Sequence, residues 1–251
     1  MKKRNRKMGA WNILQNYNPD WNPHYDFSNP ANLAEIEKQE KYDAAFKAGD
    51  WDYLRAVESE TLGGAAAYAI GKNIPKDWGT NVVADVYEEK GENICIKEIG
   101  VYPNCMLSLQ SHLGRAEKWE VLEGTLTAIA DGRIYEISAQ GCFDVTDGTP
   151  RKLSENPFID LPKGCVHCMI NRHDTLVRVK ETQRGITLES DNKRFVDQLR
   201  NRREPRAIIP LATENHYASA GLYWRIENEI AQKPGVGFGV SYSTGKGKRT
   251  G

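Results

Sequence analysis

The sequence predicts a protein with an all-β core, an antiparallel sandwich or barrel, flanked by helical and irregular segments. From Asn81 onward, short β-favouring runs alternate with turn residues, as in Val82-Val83, Ile94-Cys95-Ile96 and Ile99–Val101. Asp131-Gly132 stands between the runs TLTAIA and RIYEI, which is a strong signal for a two-residue hairpin. Many short strands joined by regular turns are typical of sandwiches and barrels.

The alternation of short β-favouring runs with turn residues continues through the centre of the chain. Strand signals recur at Leu122–Ile129, Arg133–Ile137, Cys142–Val145, Phe158–Leu161, Val166–Asn171 and Thr175–Thr182. Between two of these runs, the polar stretch Thr146–Asn156 predicts an inserted loop.

The N-terminal part predicts an aromatic arm followed by helices. Residues Met1–Asn29 are rich in Asn, Pro, Trp and Tyr, which predicts an irregular arm that packs on its own surface or on a partner. Asn29-Pro30 is a helix start, and Gly49 is a helix stop. Asp50 can cap a second helix, and Thr61–Ile70 can form a third. We expect these helices to cover one end of the β core.

The C-terminal part gives weaker patterns. Asp191–Arg203 reads as a charged helix, and His216–Ala231 reads as a second helix. On that second helix, Tyr223 and Trp224 are expected to serve packing or an interface. The segment Lys233–Gly251 has the Gly-rich and basic composition of a flexible tail.

These sequence patterns divide the chain into three parts. Residues 1–73 contain the arm and the helical appendage, residues 74–200 contain the β core, and residues 201–251 form a C-terminal extension. Basic and acidic residues number 34 each, so the formal net charge is zero. The balance argues against a nucleic-acid partner, and the basic chain ends leave that alternative open.

The cysteines indicate a reduced compartment. Five cysteines, an odd number, occur without a secretory segment, so we expect a cytoplasmic protein rather than a disulfide scaffold. Cys165 and Cys168 have the spacing of a redox or zinc motif. If this stretch is a strand, residues three apart face opposite sides, which argues against that motif. No window approaches the apolar length of a membrane span, so we expect no membrane partner.

Two short motifs carry residue types that bind metals. The first places Gln110, His112 and Glu117 in the frame Gln-x-His-x4-Glu. Alternate residues of a strand share a face, and a turn at Leu113-Gly114 lets Glu117 return to the other two. The second motif is Pro-x-Gly-x2-His-x3-Asn, which supplies His167. Two imidazoles, a carboxylate and an amide oxygen suit zinc, iron or manganese; the plainer alternative is ordinary strand residues with solvated polar groups.

The paired motifs resemble those of the cupin superfamily, with Gln110 at the position of the usual first His. The set Gln, His, Glu, His is that of phosphomannose isomerases. The surrounding stretches resemble the cupin domain of the type II mannose-6-phosphate isomerase at Trp78-Gly79, at Arg115-Ala116-Glu117 and at Lys193-Arg194-Phe195. This resemblance covers roughly residues 75–200.

The resemblance implies a cupin double-stranded β-helix, or jelly roll, over residues 74–200 and one divalent metal ion. Zinc is the expected ion, with iron and manganese as alternatives, and its implied ligands are Gln110, His112, Glu117 and His167. The chain departs from the family at Leu113-Gly114, where relatives commonly carry an extra His. We also expect no counterpart of the family's nucleotidyltransferase domain within these residues.

The resemblance also implies an aldose–ketose isomerase acting between mannose 6-phosphate and fructose 6-phosphate. That reaction needs a Lewis acid at the carbonyl oxygen and a base at the adjacent carbon. Lys97 and Glu181 are the candidates for proton transfer, although a structural or surface role fits either residue. The candidates for binding the substrate phosphate are Arg115, Arg194 and Arg200, since guanidinium matches phosphate geometry. Arg115 can equally orient Glu117.

A second hypothesis is a non-catalytic cupin that serves as a structural or sugar-binding component of a larger assembly, for example a viral particle. The aromatic arm and basic ends favour it, and they also predict a homo-oligomer or larger assembly formed through the terminal arms. The intact metal set and its matched flanks favour the isomerase. The fold alone does not decide, because such barrels host many functions.

Overall fold

A computed structural model describes residues 30–54, 56, 70–71, 73–187, 191–197, 209 and 211–233. The predicted aromatic arm, the Gly-rich tail and Arg200 lie outside these residues, as does most of the predicted third helix.

Two long helices flank the strands. Helix α1 spans Pro30–Ala48, and helix α2 spans Glu214–Ala231. The strands are β1 Asn73–Lys76, β2 Gly79–Glu89, β3 Glu92–Val101, β4 Leu109–Ser111, β5 Arg115–Glu123, β6 Thr125–Ala130, β7 Arg133–Ser138, β8 Gly141–Asp144, β9 Arg151–Ser154, β10 Phe158–Leu161, β11 His167–Ile170, β12 Val177–Gly185 and β13 Lys193–Val196. Within the described ranges, neither helix is long and apolar enough to cross a membrane.

The strands form two antiparallel sheets. The first has the order β1-β2-β3-β12-β5-β10, and the second has the order β13-β4-β11-β6-β7-β8-β9. The chain crosses repeatedly from one sheet to the other, since β3, β5, β10 and β12 lie in the first while β4, β6 and β11 lie in the second. This is a jelly-roll arrangement, and it confirms the predicted all-β core.

The space between the sheets has an apolar part and a polar part. Strands β5 and β12 bury every second side chain up to residues 121 and 183, as the two-residue period of a strand requires. Val179 pairs across the sheet with both Val121 and Ile99, and these three belong to the apolar core. Further along the same strands, the paired inward residues are Gln183 and Glu117. One sheet therefore supplies both a hydrophobic core and a polar site.

Helix α2 closes the outer face of the second sheet. Its buried residues include Tyr223, Trp224, Ile226 and Ile230, and they pack on outward side chains such as Ile129 of β6. Burial of Tyr223 and Trp224 confirms that they serve packing. The helix is also fixed to the β6–β7 hairpin, because the Gly132 N–H donates to Ser219 Oγ at 2.9 Å.

Several local predictions are confirmed. The β6–β7 turn has Asp131 at φ 45° and Gly132 at φ 75°, the positive φ pair that a two-residue hairpin favours. Gly49 has φ 71° directly after α1. The next helical turn starts at Asp50, whose Oδ1 accepts from the Tyr53 N–H at 3.1 Å.

The two cysteines of the rejected motif lie in different clusters of buried residues; Cys165 comes just before β11, and Cys168 is in it. Cys165 belongs to the core between the sheets, and Cys168 belongs to the cluster under α2. Both thiols are free. The argument against a redox or zinc motif at this spacing is therefore correct.

Two other predictions are wrong. Residues 193–196 form strand β13 and not part of a charged helix, because Phe195 and Val196 are buried against the second sheet and β13 pairs with β4. The stretch predicted as an inserted loop contains strand β9, which pairs with β8 and extends that sheet. In both cases strand pairing overrides weak local preference, with the distant strand β4 for β13 and with the preceding strand β8 for β9.

Helix α1 contacts the barrel at the loop between β4 and β5. Tyr42 of this helix is buried in a small cluster with Leu54, and Asp43 forms an ion pair with Lys193 of β13. A Cβ atom at Gly114 would lie 3.2 Å from Phe46 Cε2 of this helix. The predicted helical appendage thus packs beside the first motif.

We expect Ile226→Ala to lower the free energy of unfolding by about 2–5 kcal/mol, because it removes a fully buried side chain between α2 and the sheet. Chemical denaturation monitored by tryptophan fluorescence measures the change. Leu153→Ala is the control, since Leu153 is 51% exposed, and its cost should stay below about 1 kcal/mol. Equal effects would contradict the role assigned to α2.

Candidate metal centre

Three predicted ligands meet between the two sheets. His112 follows β4, Glu117 lies on β5 and His167 begins β11. All three are buried, and one candidate ligand atom from each lies within 4.8 Å of the others. The strand pairing explains the convergence, because His167 is paired with Gln110, two residues before His112.

The spacing of these atoms fits a metal ion. His112 Nε2 lies 3.3 Å from Glu117 Oε1, and His167 Nε2 lies 3.6 Å from Glu117 Oε2. Ligands of a tetrahedral zinc ion stand about 3.4 Å apart, given metal–ligand bonds of about 2.1 Å. Both contacts are close to that value.

The imidazole of His167 has the hydrogen bonding expected of a metal ligand. Its Nδ1 lies 2.9 Å from the Cys165 carbonyl oxygen, so the ring proton belongs on Nδ1. Nε2 then carries a lone pair, and this buried atom has no hydrogen-bond partner among the described residues. Since a buried polar atom without a partner is costly, its position supports a bound cation at this point.

The protonation states also suit a cation. Burial, followed by the charge of Arg115, lowers the pKa of His112 to about 3, and burial lowers the pKa of His167. Burial opposes ionisation of Glu117, yet its contacts with His112, His167 and Arg115 hold its pKa well below the usual range. Neutral imidazoles beside an ionised carboxylate are the forms that bind a divalent metal.

Arg115 is part of this cluster. Its Nε donates to Glu117 Oε1 at 3.0 Å, and one terminal nitrogen lies 3.0 Å from His112 Nε2. The same nitrogen donates to Asn192 Oδ1 at 2.7 Å. The guanidinium, predicted as a phosphate ligand, is 5% exposed and is turned toward the metal ligands.

Gln110, the fourth predicted ligand, is less closely engaged. It faces the same pocket, and its Oε1 accepts from Ser108 Oγ at 3.1 Å. Its membership of a metal shell stays a prediction.

Asp191 supports the loop that carries His112, and sequence reasoning missed it. Its two carboxylate oxygens accept from the Leu113 N–H at 2.9 Å and from the Gly114 N–H at 2.8 Å. A Cβ atom at residue 114 would lie 3.1 Å from Asp191 Oδ2, so this close approach favours glycine. No pattern in the sequence near residue 191 predicts that its carboxylate accepts a hydrogen bond from a residue 78 positions away.

Gln183 is a second residue that the sequence reasoning missed. Its Nε2 donates to Glu117 Oε1 and to Glu181 Oε2, both at 2.9 Å, while its Oε1 is buried and has no partner among the described residues. Extending the alternation of β12 from Val177 and Val179 through Glu181 would have found it.

The predicted proton-transfer residues lie side by side. Lys97 Nζ lies 3.6 Å from Glu181 Oε2, on the paired strands β3 and β12. Burial, with added repulsion from Glu117, raises the pKa of Glu181 to about 7.

A pocket of about 550 Å³, counted with the open space at its mouth, connects these groups to the surface. Glu117 and Gln183 line it, together with Lys97 and Glu181. Cationic side chains are prominent in its wall; they are Lys76, Lys97, Arg115 and Arg194. The pocket therefore suits a polar, anionic small molecule.

The comparison with known protein families agrees with this architecture. Residues 64–154 match the family described as "Mannose-6-phosphate isomerase C-terminal". The barrel is a cupin domain. It resembles the cupin domain of type II mannose-6-phosphate isomerases, as its two motifs predicted.

Related sequences are named for mannose 1-phosphate chemistry or for alginate biosynthesis. This chain is 29% identical to a mannose-1-phosphate guanylyltransferase of Escherichia coli (strain K12) over 148 residues, which are 59% of this chain and 27% of that protein. Identity to the alginate biosynthesis protein AlgA of Pseudomonas fluorescens is 30% over 49% of this chain and 21% of that protein. The chain thus spans less than a third of the length of these relatives.

Solved structures with a similar arrangement include two named for sugar chemistry. The capsular polysaccharide assembling protein CapF of Staphylococcus aureus matches with a TM-score of 0.35 and 17% identity, over 51% of this chain and 34% of that one. A cupin-superfamily sugar phosphate isomerase of Silicibacter pomeroyi matches with a TM-score of 0.30 and 18% identity, over 47% and 69% of the two chains.

We expect Asp191→Ala to lower the free energy of unfolding by about 2–4 kcal/mol, because it removes the acceptors of two backbone N–H groups in the loop beside the site. Denaturant titration measures the loss. Asp85→Ala is a matched control: its carboxylate accepts the Val86 N–H at 2.9 Å but is exposed, so its cost should be within about 0.5 kcal/mol. An equally mild effect at Asp191 would count against its supporting role.

Proposed function

We propose that this cupin domain is a metal-dependent sugar-phosphate isomerase that interconverts mannose 6-phosphate and fructose 6-phosphate. The observation that carries the proposal is the convergence of His112 and His167 on Glu117, which lines a pocket together with the Lys97–Glu181 pair. The description of the matched family names mannose-6-phosphate isomerase. The relatives named as guanylyltransferases share only about a quarter of their length with this chain.

The metal would be held by His112, Glu117 and His167, with Gln110 as a possible fourth ligand from the same pocket. Zinc suits two imidazoles and a carboxylate, and iron or manganese are alternatives. When bound, a divalent ion supplies Lewis acidity at the carbonyl oxygen of the sugar.

Glu181 is suited to carry the proton between the adjacent carbons of the sugar. Its carboxylate lines the pocket, and Gln183 Nε2 holds it at a fixed distance from Glu117. The ammonium of Lys97, 3.6 Å from Glu181, can donate a proton to an oxygen that becomes negative as the enediol forms. Isomerisation moves one proton from carbon to carbon, which a single carboxylate can accept and return. It also moves one proton from oxygen to oxygen, so the proton that Lys97 gives to the former carbonyl oxygen is replaced by the one that leaves the neighbouring hydroxyl.

The cationic wall is suited to the phosphate. Lys76 and Arg194 line the pocket in addition to Lys97 and Arg115. Binding energy from a phosphate at this wall would orient the reacting carbons toward Glu181. Arg200, also predicted for this role, lies outside the described residues, and Arg115 would have to turn from His112 and Glu117 to contribute.

We expect purified protein to contain about one divalent ion per chain, and His167→Ala to reduce that content to near zero, because the change removes a ligand whose lone pair faces the centre. Elemental analysis after dialysis measures it. His173→Ala removes an exposed histidine six positions away and should leave the metal content unchanged. Full occupancy in the His167→Ala protein would rule out this centre.

We expect metal-loaded protein to convert mannose 6-phosphate into fructose 6-phosphate, and Glu181→Gln to lower kcat by about 10²–10⁴-fold, because glutamine cannot accept the proton. A coupled assay for fructose 6-phosphate measures turnover. The matched control is Glu120→Gln, which removes a carboxylate paired with Lys180 on the outer side of the same two strands and should retain activity.

Failure of that assay has a defined meaning. Metal-loaded protein could bind mannose 6-phosphate but convert it no faster than a His112→Ala protein does. That result would exclude isomerase activity and would mean that the domain is a sugar-phosphate-binding cupin.

A further inference from the structure

We propose that the Arg115 guanidinium and a divalent metal are alternative occupants of the cradle formed by His112 and Glu117. Arg115 would then set the metal affinity of the centre and stabilise the protein when metal is absent. The inference rests on the metal centre of the proposed function but not on its substrate.

The first argument is the single lone pair of His112. Its Nδ1 lies 3.3 Å from the carbonyl oxygen of Asp191, which places the ring proton on Nδ1 and the lone pair on Nε2. That lone pair faces the Arg115 terminal nitrogen at 3.0 Å. A guanidinium donates and never accepts, so the contact uses the lone pair that a metal ion requires.

The second argument is the charge balance at Glu117. Its Oε1 accepts from Arg115 Nε at 3.0 Å, and the two side chains are 5% and 2% exposed. At this depth the guanidinium neutralises a carboxylate that is almost wholly withdrawn from solvent. A divalent ion at the same carboxylate would lie within a few ångströms of the guanidinium, where repulsion between like charges is strong because little solvent screens it.

The other half of the centre is not blocked. Trp119 Nε1 donates to Glu117 Oε2 at 3.1 Å, and His167 Nε2 lies 3.6 Å from the same oxygen. The lone pair of His167 is unengaged among the described residues. The centre therefore has one ligand ready for a cation and one that Arg115 occupies.

The Arg115 guanidinium has acceptor groups on a second side, away from the histidines. Asn192 Oδ1 accepts from its terminal nitrogen at 2.7 Å, and Asp191 Oδ2 lies 3.9 Å from its other terminal nitrogen. A rotation away from His112 toward these two groups keeps the guanidinium paired with a buried carboxylate. The displaced guanidinium would remain in the wall of the pocket, where it adds positive charge.

The test compares wild-type protein, Arg115→Met and Arg115→Lys as full-length chains, each stripped with a chelator. Affinity for Zn²⁺ and Co²⁺ is measured by competition with a chromophoric chelator, and thermal unfolding is followed with and without metal. Arg178→Met is the matched control, because Arg178 also forms an ion pair with a glutamate, Glu98 of the adjacent strand β3, but both side chains are exposed.

We expect Arg115→Met to bind metal at least about tenfold more tightly than wild type, equivalent to about 1.4 kcal/mol or more. Without metal it should unfold at a lower temperature, since Glu117 loses its cation, and metal should raise its unfolding temperature more than that of wild type. Arg115→Lys should lie between the two, and Arg178→Met should match wild type.

Unchanged or weaker metal binding by Arg115→Met would overturn the inference and would mean that Arg115 only orients Glu117. If the metal-free variant does not fold, it is purified with metal and the rate of metal release to a chelator is measured. Slower release than from wild type supports competition, and equal or faster release refutes it. If Arg115→Met binds metal more tightly but the wild-type protein has no isomerase activity, the proposed substrate is wrong and this inference stands. If the wild-type protein is an active isomerase but Arg115→Met has unchanged metal affinity, the proposed function stands and this inference is wrong.

Discussion

Glu117 is an ionised carboxylate enclosed by the barrel, and water cannot solvate it. A charge in that position is tolerated only when hydrogen-bond donors reach both oxygens. Arg115 and Trp119 approach from its own strand, and Gln183 approaches from β12. The same burial lowers the pKa of both histidines, so each neutral ring keeps a lone pair on the Nε2 atom beside the carboxylate. The cluster is consequently a receptor for positive charge.

This receptor is built into the strand pattern. On β5 the inward side chains change from Arg115 and Glu117 to Trp119 and Val121 within a few residues, while those of β12 change in the opposite chain direction. Antiparallel pairing aligns the two changes: Val121 is paired with Val179 and Glu117 with Gln183, while Trp119 and Glu181 are paired at the boundary between the two parts. The core can thus be packed at one end of the barrel while the other end remains a pocket.

Local signals were sufficient for much of this architecture. The start and end of α1 and the hairpin at Asp131 were readable from composition and spacing, because each depends on neighbours within a few positions. The meeting of His112, Glu117 and His167 was predicted from two motifs that lie far apart in the chain, and their role as metal ligands stays a prediction. Strand β13 was not, since its four residues are held in place by pairing with β4 rather than by propensity. Asp191 and Gln183 were missed because their roles exist only where distant strands meet.

The bond between Asp191 and the Leu113 backbone spans 78 residues of chain. Contacts of such long sequence separation form only after the intervening loop entropy has been lost, and a high contact order slows folding. The carboxylate of Asp191 can therefore fasten the loop carrying His112 only after both segments are in place. During synthesis on the ribosome, that condition is met only once the chain beyond residue 191 has emerged, so a metal bound as we propose would meet an organised centre only after most of the barrel has been made.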